Sequence, residues 1–342
     1  MRHNQYYSVR RRRRRRGKKS TVIKFMTITG ITIGFIITGF LIYNNLKLED
    51  KYILKDRIGN MYFSNIENTV DSFTKELAVI EDESIFNDSS FTAKALAIFD
   101  VNNKNVLYSN NGYEKIYPAS MTKLMTAYMV LNYGNLGDMV TITEDAMIKV
   151  SGTSLSGIRV GEILSMEQLL YALLLPSGND AANAIAIHMS GSVEAFCEEM
   201  NEKAAFIGAT KTNFTNPHGL HDDNHYTTVY DIYLIINELK DNEKFKEVIN
   251  TARYTAEYED ANGVSVTREW RSTNRYLIGE ANPPEGIIIL GGKTGTTNEA
   301  GFCLSLIVHE PNGNEYISII SNAETRNLLY IQMGNLLSQI LN

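Results

Sequence analysis

Apolar positions divide the chain into stretches of different period. From Phe25 to Tyr43, nineteen residues run without a charge, FMTITGITIGFIITGFLIY. At about 1.5 Å per residue, such a helix spans roughly 28 Å, the thickness of a hydrocarbon core, which predicts a membrane span. Between residues 44 and 90, Tyr62, Ile66, Val70, Phe73, Leu77 and Ile80 recur every three or four positions. That is the period of an amphipathic helix, and the segment reads as a stalk able to pack on the body or on a second copy. Residues 95–109, ALAIFDVNNKNVLYS, are two short apolar runs about a polar turn and predict a hairpin. Met121, Leu124, Met125, Tyr128 and Leu131 fall on one helical face, with Gly134 as a stop. Asn179-Asp180-Ala181-Ala182 opens a further helix, with Asn179 or Asp180 as its cap. The apolar run 287–290 leads through two glycines into Lys-Thr-Gly-Thr-Thr, a strand whose backbone a ligand can approach closely. Residues 301–308 offer a strand to pair with it. The pattern alone supports an α+β body.

Charge sharpens the picture at the N-terminus. Residues 1–24 carry eleven Lys and Arg, including the run Arg10 to Arg16, and no acid. By the positive-inside rule they are expected in the cytoplasm, with everything after Tyr43 outside the cell. The apolar core is longer than that of a signal peptide, and no small-residue cleavage site follows in YNNLKLED, so an uncleaved anchor is expected. Membrane lipid is therefore an expected partner, and the arginine run suits orientation and anionic headgroups. Of 39 Asp and Glu in the chain, all lie beyond residue 24, and so acidic a body argues against nucleic acid. The 342 residues, 44% hydrophobic, suffice for a full core. Two cysteines, Cys197 and Cys303, exclude a disulfide framework or a zinc quartet and read as free core residues. The expected organisation is a basic cytoplasmic tail (1–24), a transmembrane anchor (25–43), a stalk (44–90) and a catalytic body (91–342).

The body also carries candidate chemistry. Ser120 sits at the first turn of the helix predicted after Pro118, with Lys123 three residues on and on the same side. A serine hydroxyl needs a base, and a lysine can be one if burial or nearby positive charge lowers its pKa towards neutrality. The helix N-terminus adds backbone N–H groups to steady an oxyanion. Ser-x-x-Lys alone is a weak signal, since Ser72-Phe73-Thr74-Lys75 repeats it in the stalk. Ser-x-Asn is weaker, and Lys-Thr-Gly occurs once, at residues 293–295. Their order is what carries weight: Ser120, Ser177 and Asn179, then Lys293. His218, His221 and His225 with Asp222 and Asp223 invite a metal reading, but the spacing lacks a third-ligand context, and neither metal nor cofactor is expected.

The stretches YPASMTKLMTA (117–127), LLLPSGNDAANAIA (173–186) and GGKTGTTNEAGFCLS (291–305) resemble the serine D-alanyl-D-alanine carboxypeptidases, the low-molecular-mass penicillin-binding proteins. The Asn-Pro-His-Gly-Leu turn at 216–220 and Ser272-Thr273-Asn274 extend the likeness, which covers roughly residues 91 to 340. The resemblance implies an antiparallel sheet flanked by helices, with a mainly helical insert and a site where the two meet. It implies that Ser120 attacks the carbonyl between two terminal D-alanines of a peptidoglycan stem peptide, with Lys123 as base. Ser177 would relay a proton to the leaving group, and Asn179 would hold Lys123 and the substrate amide. Lys293 would supply positive charge, Thr294 and Thr296 would bind the terminal carboxylate, and the N–H groups of Ser120 and Thr296, beside Gly295, would form the oxyanion hole. β-Lactams, as mimics of the dipeptide, would acylate Ser120 and be released slowly.

Three rivals stand beside this reading, and the first shares every residue with it. A DD-endopeptidase would cut cross-links with the same residues. A class A β-lactamase would need a deacylating glutamate, and EKFKEVIN (243–250) offers only Glu247 with Asn250 at the wrong spacing. A β-lactam sensor or scaffold would need a signalling domain, for which 24 cytoplasmic residues are too few. The chain also departs from its relatives. It attaches at its N-terminus, and the arginine expected near the start of the last helix is represented only by Arg326, about one turn displaced, which is not assigned to the site.

Overall fold

The structure, a computed structural model, describes residues 77–81 and 91–341. The basic tail, the apolar stretch 25–43, the second Ser-x-x-Lys and most of the stalk lie outside the described residues. Among the described residues, no helix is long and apolar enough to cross a membrane.

The expected hairpin is strands β1 (Ala95–Asp100) and β2 (Asn105–Asn110). Every residue of β1 is buried, because the strand is covered on both faces. Ala95, Ala97 and Phe99 join the core beneath the helices, while Leu96 and Ile98 join a second apolar cluster on the opposite face. An uninterrupted apolar run is what a doubly covered strand requires. Strands β7 (Ile288–Thr297), β8 (Gly301–His309) and β9 (Glu315–Ala323) complete a five-stranded antiparallel sheet in the order β2-β1-β9-β8-β7. Strand β7 is thus an edge strand. Helix α7 (Arg326–Leu337), capped by Thr325, covers one face through Leu329, Met333, Leu336 and Leu337.

The other face carries the insert. Its helices are α1 (Lys123–Tyr133), α2 (Met166–Leu174), α3 (Asn179–Ser190), α4 (Val193–Phe206), α5 (Val229–Leu239) and α6 (Glu243–Asn250). Helix α1 is buried on all sides from Lys123 to Val130 rather than along one face, and Leu131 is only half-buried. It is the pillar of the insert, with α2, α3, α4 and α5 around it. The insert also contains a second antiparallel sheet that the periodicity did not announce. Its strands are β3 (Met139–Thr141), β4 (Ile163–Ser165), β5 (Arg253–Glu259) and β6 (Ser265–Arg271), in that order.

Leu77–Glu81, at the end of the expected stalk, are not helical. Ala78 and Ile80 are buried in the main core, and the Ala78 N–H donates to Tyr233 Oη at 3.0 Å. The segment is a strap held on the body by backbone rather than a continuation of an amphipathic helix.

Candidate active site

Ser120 lies in a 3-10 turn, Ala119–Thr122, that runs directly into α1 and is half-buried. Lys123, the first residue of α1, is fully buried, and its Nζ lies 3.0 Å from Ser120 Oγ. The same nitrogen donates to Asn179 Oδ1 at 2.7 Å and to the His218 carbonyl at 2.7 Å. Burial, reinforced by the positive charge of Lys293, holds the Lys123 amine well below the usual lysine range, against a smaller opposing effect of Asp180. A neutral amine has two hydrogens and one lone pair. Two acceptors take both hydrogens, so the lone pair is left facing the Ser120 hydroxyl.

Lys293 enters from strand β7. It is 1% exposed, and its Nζ donates to Ser177 Oγ at 2.9 Å and to the Thr294 carbonyl at 2.8 Å. Burial lowers its pKa to about 7. Ser177 is buried at φ +65°, a left-handed conformation for a non-glycine residue, just ahead of α3. Strain of this kind persists where surrounding contacts over-determine it. The cap of α3 is Gly178, not Asn179 or Asp180. Asn179 is free to reach Lys123. Asp180 instead accepts from Ser156 N–H (2.8 Å), Ser156 Oγ (2.9 Å) and Gly157 N–H (2.9 Å), pinning the loop that carries Ser154.

Gly295 is the point of closest approach between sheet and nucleophile: a Cβ there would lie 3.2 Å from Ser120 N. Thr294, Gly295 and Thr296 line one cleft with Ser120 and Ser177, and Thr294 Oγ1 shares a 2.5 Å hydrogen bond with Thr273 Oγ1. All eight residues singled out in the sequence therefore meet in one place, three of them (Lys123, Asn179, Lys293) buried behind the wall of the cleft.

The cleft holds residues that sequence reasoning passed over. Arg326 lines it, with its guanidinium over the Phe302 ring, although it was set aside as displaced. Its signal was Thr325: a cap there makes Arg326 the first helical residue, beside the strand end. Arg271 and Arg275 also line the cleft, both near Glu280, and Ser154 closes the other side. The histidines do other work. His218 supplies a carbonyl to Lys123, burial holds its ring well below the usual histidine range, and among the described residues no cluster of three or more acidic, His or Cys side chains is placed to hold a metal. Both cysteines are buried and unbonded to each other. Glu247 is tied to Tyr171 Oη at 2.6 Å and to Lys244 at 2.6 Å, and it does not line the cleft.

Chemically, the arrangement offers a hydroxyl beside an amine of lowered pKa that can serve as its base, a second hydroxyl beside a lysine, and an anion-attracting wall of arginines and threonines. It suits acyl transfer to and from a substrate ending in a carboxylate.

Known proteins agree. Residues 82–325 match the family described as D-alanyl-D-alanine carboxypeptidase. The chain is 30% identical over 237 residues to the D-alanyl-D-alanine carboxypeptidase DacF of Bacillus subtilis (strain 168), covering 68% of this chain and 58% of that protein. It is 33% identical over 212 residues to a D-alanyl-D-alanine endopeptidase of Pseudomonas aeruginosa, covering 60% of this chain and 64% of that one. The chain thus spans less than two thirds of the length of either relative. Among solved structures, penicillin binding protein 5 from Haemophilus influenzae superposes with a TM-score of 0.65 at 29% identity, over 74% of this chain and 72% of that one. With the motifs in order, the fold matched and the lysine pair in place, the chain belongs to the D-alanyl-D-alanine carboxypeptidase family of serine peptidases.

Proposed function

We propose that the protein is a serine D-alanyl-D-alanine carboxypeptidase that removes the terminal D-alanine from peptidoglycan stem peptides. The observation that carries this is the buried Lys123 amine, 3.0 Å from Ser120 Oγ, held by Asn179 Oδ1 and the His218 carbonyl, with its pKa well below the usual lysine range. Ser120 Oγ attacks the penultimate D-alanine carbonyl carbon, and its proton passes to Lys123 Nζ. The negative charge on the carbonyl oxygen is met by the N–H groups of Ser120 and Thr296. As the intermediate collapses, the C–N bond breaks and Ser177 Oγ delivers a proton to the departing amine, replenished from the lysines. Water then attacks the ester, its proton returns to the same base, and the shortened peptide leaves. The terminal carboxylate is held by Thr294, Thr296 and Arg326, with Lys293 beneath.

A β-lactam presents the same carbonyl, but its leaving nitrogen stays tethered, so acylation of Ser120 outlasts deacylation. The name of the Haemophilus influenzae structure supports this. The apolar stretch 25–43 behind a basic tail supports a single-pass anchor in a bacterial cell membrane with the catalytic domain outside, where its substrate lies. The Pseudomonas aeruginosa relative favours a second reading, cleavage of cross-links by the same residues.

The test is D-alanine release from a diacyl-Lys-D-Ala-D-Ala peptide by the full-length protein in detergent, with Ser120→Ala as control. Release abolished in the variant is expected. A folded, penicillin-acylated protein that releases none, yet opens a cross-linked dimer, is an endopeptidase. One that does neither is a sensor or scaffold.

A further inference from the structure

The loop 215–225 lies beneath the turn that carries Ser120. His225 is 2% exposed, and its Nδ1 accepts from the Thr215 N–H at 3.0 Å. A ring nitrogen that accepts carries no proton, so the neutral ring bears its hydrogen on Nε2. Nε2 lies 2.7 Å from Thr122 Oγ1, which in turn donates to the Ala119 carbonyl at 2.8 Å. The order of donation is thereby fixed: His225 to Thr122, Thr122 to Ala119. Ala119 stands at φ +47°, a strained conformation for a residue with a Cβ. Gly219, at φ +89°, closes over the same group. A Cβ there would come within 1.8 Å of the Ala119 oxygen and 2.9 Å of Thr122 Oγ1.

The Ala119–Ser120 peptide is trans and planar, so its carbonyl and its N–H point in opposite directions. Clamping the carbonyl inward, on Thr122, turns the Ser120 N–H outward. Gly295, on the cleft wall, approaches the same nitrogen: a Cβ there would lie 3.2 Å from it. A hydrogen bond received by the carbonyl also polarises the amide and strengthens its N–H as a donor.

We infer that His225, acting through Thr122, is a positioning residue for the oxyanion donor: it sets the Ala119–Ser120 peptide plane so that the Ser120 N–H faces the reacting oxygen. The inference rests on the acyl-transfer reading of Ser120. A residue that only fills space would affect folding or binding. One that aims an oxyanion donor acts on the charge that develops in the transition state, and therefore on the rate of acylation.

The experiment uses the full-length protein in detergent and a labelled penicillin, with rapid mixing to separate the acylation rate constant from the preceding non-covalent dissociation constant. His225→Leu keeps bulk without a donor, His225→Gln restores an amide donor, and Thr122→Val removes the hydroxyl. Expected is a roughly 10- to 100-fold slower acylation for His225→Leu and Thr122→Val, with the non-covalent constant within about threefold of wild type. Affinity for a boronic acid that forms a tetrahedral adduct on Ser120 falls in parallel, and His225→Gln recovers most of the rate. The double variant His225→Leu/Thr122→Val is no slower than either single, because both break one chain. Should His225→Leu fail to fold, Thr122→Val decides by the same criteria. Wild-type acylation rates in folded variants, losses that multiply in the double variant, or losses confined to non-covalent binding overturn the inference. A wild-type protein that penicillin does not acylate at Ser120 overturns the acyl-transfer reading, and this inference with it.

Discussion

Lys293 Nζ and Ser177 Oγ are 2.9 Å apart inside a site where a second lysine, Lys123, is fully buried. Two ammonium groups buried in one site repel, and the outcome is a division of labour. Lys123 gives up its proton first, and Lys293, with a pKa of about 7, keeps its own longer.

Lys293→Gln should therefore move the acid limb of the acylation profile to higher pH. Lys293 is one of the causes that lower the Lys123 pKa, so its removal lets Lys123 hold its proton further up the scale. Acylation at pH 7 should also fall, by about 10²-fold, since both the base and the anion site are weakened. A pH–rate profile of penicillin acylation reads this, and an unmoved acid limb would sink the division of labour.

Asp180→Asn should do the opposite to that limb while loosening the loop at 154–157. Asp180 raises the Lys123 pKa, so its neutral isostere shifts the limb to lower pH. The amide has one acceptor oxygen where the carboxylate has two, so either the Gly157 N–H or the Ser156 and Ala181 donors are left facing an NH2 group. A cost of about 1.5–3 kcal/mol follows, with a melting temperature lower by several degrees. Thermal denaturation alongside the pH profile checks both, and a stable protein with an unchanged limb contradicts the assignment.

Arg326→Gln should raise KM for peptides ending in a free carboxylate by about 10-fold or more and leave C-terminally amidated peptides unaffected. Arg326 lines the cleft beside Thr294 and Thr296. Equal losses on both peptides would mean that the arginine supports the fold through Phe302 instead.

Tyr233→Phe removes the acceptor for the buried Ala78 N–H. Leaving that donor unpaired costs about 1–3 kcal/mol locally. The amide of Ala78 should lose hydrogen-exchange protection while those of α5, which bears Tyr233, keep theirs. Unchanged protection at Ala78 would show that the apolar seat of Ala78 and Ile80 suffices.

Much of this was legible in the sequence, and the reasons are local. ALAIF reads as one arm of a hairpin, and the order of the three signatures carries the family resemblance that implies the eight site residues. What stayed hidden depends on distant partners. Helix α1 looks amphipathic but is enclosed, because α2, α3, α4 and α5 pack around it. Asp180 reads as a cap, yet the donors that fix its carboxylate, Ser156 and Gly157, lie 24 and 23 residues back in the chain. Strands β5 and β6 alternate around the Asn262-Gly263 turn, a hairpin signal that was present but masked by their charged outer faces. His225 was read only as a metal candidate, since nothing in its spacing announces Thr122 beneath Ser120.

Strand β7 ends the main sheet, but little of its outer edge is open. Near its start, a Cβ on Gly291 would lie 2.4 Å from the Ile249 carbonyl, so α6 shuts that half of the row. Only the part from Thr294 to Thr296 faces the cleft. An uncovered strand invites like strands to stack on it, and secreted or surface proteins at high local concentration run that risk constantly. Here the gap is a few residues long, too short to seed growth of a shared sheet and long enough for the end of a single peptide. The opening that admits the end of one peptide is too narrow for a second sheet to build on.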